Sequence, residues 1–219
     1  MIKNITITLV AASFLLSANV FAKKAENKPV GISKGVMSVE VINHGKKTQI
    51  TRNQDNNNTI KQAFAKTSRP CPPFCIQPMV LAPGVETIAE LEVMDYLSKM
   101  ANGDKTILVV DSRTPDWVKK GTIPGSINIP WTKLNASKAD PIAIGDIMEE
   151  MFNVGGDDED RDFSKAKTLV MFCNGMWCGQ SPNNIKSLLK MGYPANKIKW
   201  YRGGMQDWEV LGLSTVPGK

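Results

Sequence analysis

The chain has 219 residues, with 27 Lys+Arg against 21 Asp+Glu for a formal net charge of +6, four cysteines and a single histidine. The basic residues are spread along the chain and recur as Lys-Lys pairs without interleaved aromatics, which is a solvated surface rather than a nucleic-acid patch. One histidine, His44, argues against a His-rich catalytic metal site and a Cys-His protease, and no Cys-x-x-Cys-His run offers a haem attachment, so no metal and no cofactor is expected.

In chain order, Lys3 precedes an apolar run from Ile5 to Leu16, and Val20-Phe21-Ala22 supplies small residues at the last and third-last positions. That is the pattern of a secretory signal peptide over 1–22, cut after Ala22. The run is shorter than the roughly 20 apolar residues a membrane span needs, so the expected product is exported, periplasmic and not membrane-spanning after cleavage. Cleavage removes one charge, Lys3, and leaves Cys71, Cys75, Cys173 and Cys178 in a compartment where disulfides form. Four cysteines allow three complete pairings, and the sequence does not choose among them.

Residues 23–34 are Lys-rich and read as a flexible leader. The stretch 36–52 alternates apolar and polar on both sides of Asn43-His44-Gly45-Lys46, which predicts a β-hairpin with His44 in the turn. A polar loop follows at 53–59, then a helical or irregular stretch to Ser68. Pro70, Pro72, Pro73, Pro78 and Pro83 forbid a helix or a central strand from 69 to 84. Residues 23–80 are thus an extension too small and polar to bury much core alone, packed on a main domain at 85–217.

From 85 onward strand and helix alternate. Val85–Ile88 is a short strand. The helix that follows carries Leu91, Met94, Leu97 and Met100 at helical spacing and closes at Asn102-Gly103. Strands are predicted at 106–113 and 125–131, a helix at 141–152, and a solvated acidic loop at 155–162. The apolar strand 166–173 ends in Cys173; a helix at 181–192, a strand at 198–201 and a closing helix at 204–212 complete the pattern. Such alternation predicts an α/β fold, an open parallel sheet with helices on both faces, plus the small N-terminal hairpin extension.

Cys173 stands where α/β proteins bind ligands, beyond the carboxyl end of a strand and before a helix. Ser181 is placed to cap that helix and Pro182 to begin it, with the helix amides and dipole aimed back at the loop. A thiolate there is stabilised, and its pKa should fall below ~8.5. Gly175 and Gly179 free the backbone to turn its N–H groups inward. The candidate binding loop is Asn174, Gly175, Met176, Trp177, Gly179, Gln180 and Ser181.

Three motifs in order resemble the rhodanese family: "VVDSRTPDWVKKGTIPGSINIPW" (109–131), "LVMFCNG" (169–175) and "KMGYPANKIKWYRGGMQDWEVLG" (190–212). The resemblance covers roughly 85–217 and implies the rhodanese fold, with Cys173 as the residue that becomes a persulfide and Asp111 and Arg113 as supporting residues. Thr122 replaces the family's usual His, a change expected to touch structure more than chemistry. The interval from Cys173 to Gly192 runs two residues longer than in typical single-domain members, which implies a larger pocket. No Arg or Lys lies between 173 and 181. Family members that use thiosulfate often hold a cation there, so the resemblance disfavours thiosulfate and phosphatase chemistry and favours a less charged persulfide donor.

Cys178 reads as a resolving thiol, as half of a structural disulfide, or as an inert thiol. Cys71 and Cys75, in "CPPFC", read as a redox pair or as a local bridge fixing the extension. The reading with most support is an exported sulfurtransferase that takes sulfur from a small sulfane-sulfur donor and passes it to a thiol acceptor or partner thiol protein. The alternatives are a thiol–disulfide redox protein using Cys173 and Cys178, or a non-catalytic binding module.

Overall fold

Along the strand Thr168–Phe172 successive side chains serve opposite faces of one sheet. Leu169 and Met171 enter one hydrophobic cluster, Val170 and Phe172 the other, and all four are fully buried. A strand that buries both faces must be apolar throughout and sit at the centre of a parallel sheet. The computed structural model describes residues 28–157 and 160–218, so the predicted signal peptide lies outside the described residues. Its elements are β1 (Ser38–Asn43), β2 (Lys46–Thr51), β3 (Glu86–Ile88), α1 (Glu90–Ala101), β4 (Ile107–Asp111), α2 (Pro115–Val118), β5 (Ile127–Asn128), α3 (Pro141–Asp146), β6 (Thr168–Phe172), α4 (Gln180–Lys190), β7 (Ile198–Tyr201) and α5 (Gly204–Val210).

β3 to β7 form a five-stranded sheet in the order β3-β7-β6-β4-β5, every neighbouring pair parallel. One face carries α3 and α4 over Val110, Leu169, Met171, Ile198 and Trp200. The other carries α1 and α5 over Val109, Val170, Phe172 and Tyr201. No helix among the described residues is long and apolar enough to cross a membrane.

The expected elements are present, most with ends within two residues of the prediction, and the larger departures have local causes. The strand expected at 125–131 shrinks to Ile127–Asn128 because Pro124 and Pro130 cannot donate to the ladder. The helix expected at 141–152 is α-helical only to Asp146 and then widens into a π-helical turn, Ile147–Met151. In α1 the expected stripe through Leu91 is rotated. Leu91 is 53 % exposed, whereas Val93, Met94 and Leu97 are buried. A strict three-residue step drifts around a turn of 3.6 residues, and the helix instead offers the sheet and hairpin the face around Val93 and Leu97.

The hairpin is built as predicted, β1 antiparallel to β2, with His44 and Gly45 at positive φ in a two-residue turn. It packs into the core: Val41 and Ile50 are fully buried in the cluster that holds α1, Trp208 and Leu213. Asn43 Oδ1 accepts from the Gly125 amide at 3.1 Å, and Arg52 Nε donates to the Leu211 carbonyl at 2.7 Å. The extension therefore contributes wall to the main core. Ile50→Ala should lower stability by about 2–5 kcal/mol in urea unfolding followed by circular dichroism. A loss below about 1 kcal/mol would mean that the hairpin is not part of the cooperative unit.

Candidate active site

β6 ends at Phe172, and Cys173 is the next residue, buried to 2 % exposure. The loop that begins at Cys173 is tied to the start of α5. The amides of Met205 and Gln206 donate to the carbonyls of Cys173 and Asn174 at 2.9 and 3.0 Å. This close approach requires glycine at 204, which has a φ of 56° and where any Cβ would collide with the Cys173 carbonyl.

The Cys173 sulfur collects donors from its own loop and from α4. The Ser181 hydroxyl donates at 3.2 Å, the amides of Gly175 and Ser181 point at it, and the Cys178 thiol is near enough to favour its charged form; as thiols, Cys173 Sγ donates to the Cys178 carbonyl at 3.4 Å and Cys178 Sγ to Gln180 Oε1 at 3.7 Å. Burial pushes the Cys173 pKa up, but these hydrogen bonds outweigh it and bring it down from 9.0 to about 7. Cys178 moves the other way. Burial, and the proton it shares with Cys173, hold its pKa well above 9.0. As pH rises, Cys173 therefore loses its proton before Cys178 does.

Ser181 does not cap α4. The helix starts one residue earlier, at Gln180 after Gly179, and the serine hydroxyl lies inside the first turn between Cys173 and Trp200, whose Nε1 donates to it at 3.1 Å. Gly179 has an ordinary φ of −89° and open space where a side chain would stand, so its role is to leave room. Met176 turns outward, its carbonyl accepting from the Gln77 amide at 2.8 Å. Asn174, Trp177, Cys178, Gly179 and Gln180 line a cavity of ≈ 380 Å³, within the size range of small-molecule sites.

Asp111 and Arg113 stand apart from the sulfur as a buried pair. Arg113 Nε and Nη2 reach the two Asp111 oxygens at 2.9 and 2.6 Å, and Nη2 also donates to the Gly121 carbonyl at 2.7 Å. Thr122, at the position of the family's His, donates to Asp111 Oδ2 at 2.7 Å. Asn128 Nδ2 bonds the Asp111 and Arg113 carbonyls at 2.8 Å each. The pair fixes the turn after β4, which carries Trp117.

The cavity also has walls that the loop sequence does not announce. Trp117 and Trp131 come from the segments after β4 and β5, Asn183 from α4, and Arg69, Pro73 and Phe74 from the extension. Cys71 and Cys75 are joined in a disulfide, so the extension's cysteines form a local bridge, and Cys173 and Cys178 are free. Phe74 meets Trp177 edge-on with ring centres 5.7 Å apart, and the Arg69 guanidinium lies 3.7 Å from the Trp177 ring. Trp177 is held by a 2.7 Å bond from Nε1 to Gln206 Oε1. The absence of Arg and Lys between 173 and 181 does not leave the cavity without a cation. The loop has none, but the extension delivers Arg69 from over a hundred residues upstream.

Residues 93–210 match the Rhodanese-like domain family. The chain belongs to this family. Among curated proteins it is 26 % identical over 127 residues to a putative mitochondrial thiosulfate sulfurtransferase of Schizosaccharomyces pombe, spanning 56 % of this chain and 77 % of that protein. It is 24 % identical over 124 residues, 57 % of this chain, to an HTH-type transcriptional regulator of Mycobacterium tuberculosis, of which the match spans only 43 %. Among solved structures, a thiosulfate sulfurtransferase from Pseudomonas aeruginosa aligns with a TM-score of 0.41 at 21 % identity, over 62 % of this chain and 21 % of that one. A human single-domain sulfurtransferase aligns with a TM-score of 0.35 at 20 % identity, over 57 % of this chain and 95 % of that one.

In this rhodanese-like domain the alkylation rate of Cys173 by iodoacetamide should rise with pH through a midpoint of about 7, because only the thiolate reacts. Ser181→Ala and Cys178→Ala each remove a donor to the sulfur and should move that midpoint upward. Unchanged midpoints in both variants would mean that these bonds do not set the acidity.

Proposed function

We propose that the protein is a sulfurtransferase that carries sulfane sulfur as a persulfide on Cys173. The observation that carries this reading is a buried cysteine at a strand end, its pKa brought down to about 7 by two backbone amides, a hydroxyl and a thiol. The Cys173 thiolate attacks the sulfane sulfur of a donor. A bond forms between the two sulfurs, the donor's own bond to that sulfur breaks, and the leaving group departs with the electron pair. The persulfide lengthens the side chain by about 2 Å. The amides that held the thiolate are positioned to hold the persulfide, whose charge needs the same fixed donors. An acceptor thiolate then attacks the outer sulfur and restores the Cys173 thiolate.

Family membership and the resemblance to thiosulfate sulfurtransferases support the transfer reading, and the N-terminal apolar run supports export to a periplasm. The thiol acceptor is a small thiol or a partner thiol protein.

A second reading, a thiol–disulfide redox protein, draws on the two free cysteines, whose titrations are linked and one of which donates to the other's carbonyl. Cys178 as thiolate can attack the inner sulfur of the persulfide, expel hydrosulfide and close a Cys173–Cys178 disulfide. A brief reaction of the reduced protein with a sulfane-sulfur donor, followed by peptide mass spectrometry, separates the two. The expected product is one added sulfur on the Cys173 peptide, absent in Cys173→Ser and retained through the first turnover in Cys178→Ser. Full transfer by Cys173→Ser would sink the proposal, and immediate disulfide without trapped sulfur would put the redox reading first.

A further inference from the structure

Two polar groups at the cavity have nothing to bond. Arg69 Nε is buried without a hydrogen-bond partner, and so is Asn174 Oδ1, on a residue 2 % exposed that also lines the space. A buried polar group without a partner is costly, and a ligand that supplies one recovers that cost. Arg69 Nε is a donor and fits an anion, whereas Asn174 Oδ1 is an acceptor and fits a donor group of a ligand. Among the described residues Arg69 is the one charged side chain lining the cavity, and Lys120 and Lys138 sit against Trp117 and Trp131 at 4.1 and 5.5 Å from the ring centres without lining it. Four aromatic rings, Phe74, Trp117, Trp131 and Trp177, also stand in the wall.

We infer that the extension completes the substrate pocket, and that Arg69 binds the anionic head of an organic sulfane-sulfur donor whose apolar body lies against Phe74, Trp117 and Trp131. The inference rests on Cys173 being the sulfur carrier. A thiosulfonate, R–SO2–S⁻, has the matching chemistry. Cys173 attacks its terminal sulfur, the bond between the two sulfurs of the donor breaks, and the sulfinate R–SO2⁻ leaves with the electron pair. Charge is conserved, since a thiolate and a thiosulfonate give a persulfide anion and a sulfinate. One guanidinium matches one negative charge in its fork of donors. Thiosulfate is a compact dianion. It would leave the aromatic walls uncovered and half its charge without a partner.

The test compares benzenethiosulfonate with thiosulfate as donors to the wild-type protein, Arg69→Met and Arg69→Lys. Binding of unreactive benzenesulfonate is followed in parallel by tryptophan fluorescence. The wild type should show a KM for benzenethiosulfonate at least about tenfold below that for thiosulfate, reflecting the apolar area covered. Arg69→Met should raise that KM and the Kd of benzenesulfonate about tenfold, the loss expected for one charge-assisted contact, with kcat little changed. Arg69→Lys should recover part of the loss. A lower KM for thiosulfate in the wild type, which needs no variant to fold, overturns the inference, and so does an Arg69→Met protein with unchanged KM and Kd. If no donor places sulfur on Cys173 while benzenesulfonate binding still depends on Arg69, the pocket assignment stands and the sulfurtransferase reading falls.

Discussion

The site is organised around one requirement, that a sulfur anion with almost no contact with water be stabilised by fixed donors. Removing a charged group from solvent is costly unless hydrogen bonds replace the lost water. Around Cys173 the replacement comes from three directions: the loop through Gly175, α4 through Ser181, and the neighbouring thiol of Cys178. Each donor needs its own support. Ser181 is oriented by Trp200 from β7, and the loop is tied to α5 across Gly204, where no side chain fits. The paired glycines after β7 and the serine inside α4 are therefore parts of one arrangement, although they lie far apart in the chain.

Behind the loop, the Asp111–Arg113 pair sets a second constraint. It is buried at the end of β4, and both partners have their remaining valences filled by Thr122 and Gly121. Removing one partner of such a pair leaves an uncompensated buried charge, at a cost of about 3–5 kcal/mol. Its effect on chemistry is indirect. It holds the turn that carries Trp117 to the cavity and contributes no charge there.

Much of this was legible in the sequence because it is local. An apolar strand ending in cysteine, a glycine-bearing loop and a helix start lie within about 20 residues, and hydrophobic alternation fixes the strand's two faces. Ser181 was legible as a member of the binding loop and a partner of the helix start, but not as a donor to the sulfur, because a one-residue shift in where α4 begins changes which group its hydroxyl faces. Leu91 was misplaced because the helix face is chosen by the sheet and hairpin together, which no window within α1 contains. Arg69, Phe74, Trp117 and Trp131 could not be assigned to the cavity, since only the folded topology brings an upstream extension and two loops to one place.

The location of the cation follows from the same physics. A cationic side chain within 174–180 would compete for the space through which those amides reach the sulfur, and it would pull the Cys173 pKa further from neutrality. A thiolate loses nucleophilicity as its pKa falls, so a value near 7 combines a substantial thiolate fraction with reactive sulfur. Carried on the extension, the guanidinium stacks on the outer wall at Trp177 and leaves the sulfur's own donors untouched. The segment that carries it is braced by the Cys71–Cys75 bridge, by the bond from the Gln77 amide to Met176, and by Arg202 donating to the Gln77 carbonyl at 2.8 Å. On the proposed reading, the division separates two tasks that one short loop performs poorly together: setting the acidity of the nucleophile and recognising the charge of what it attacks.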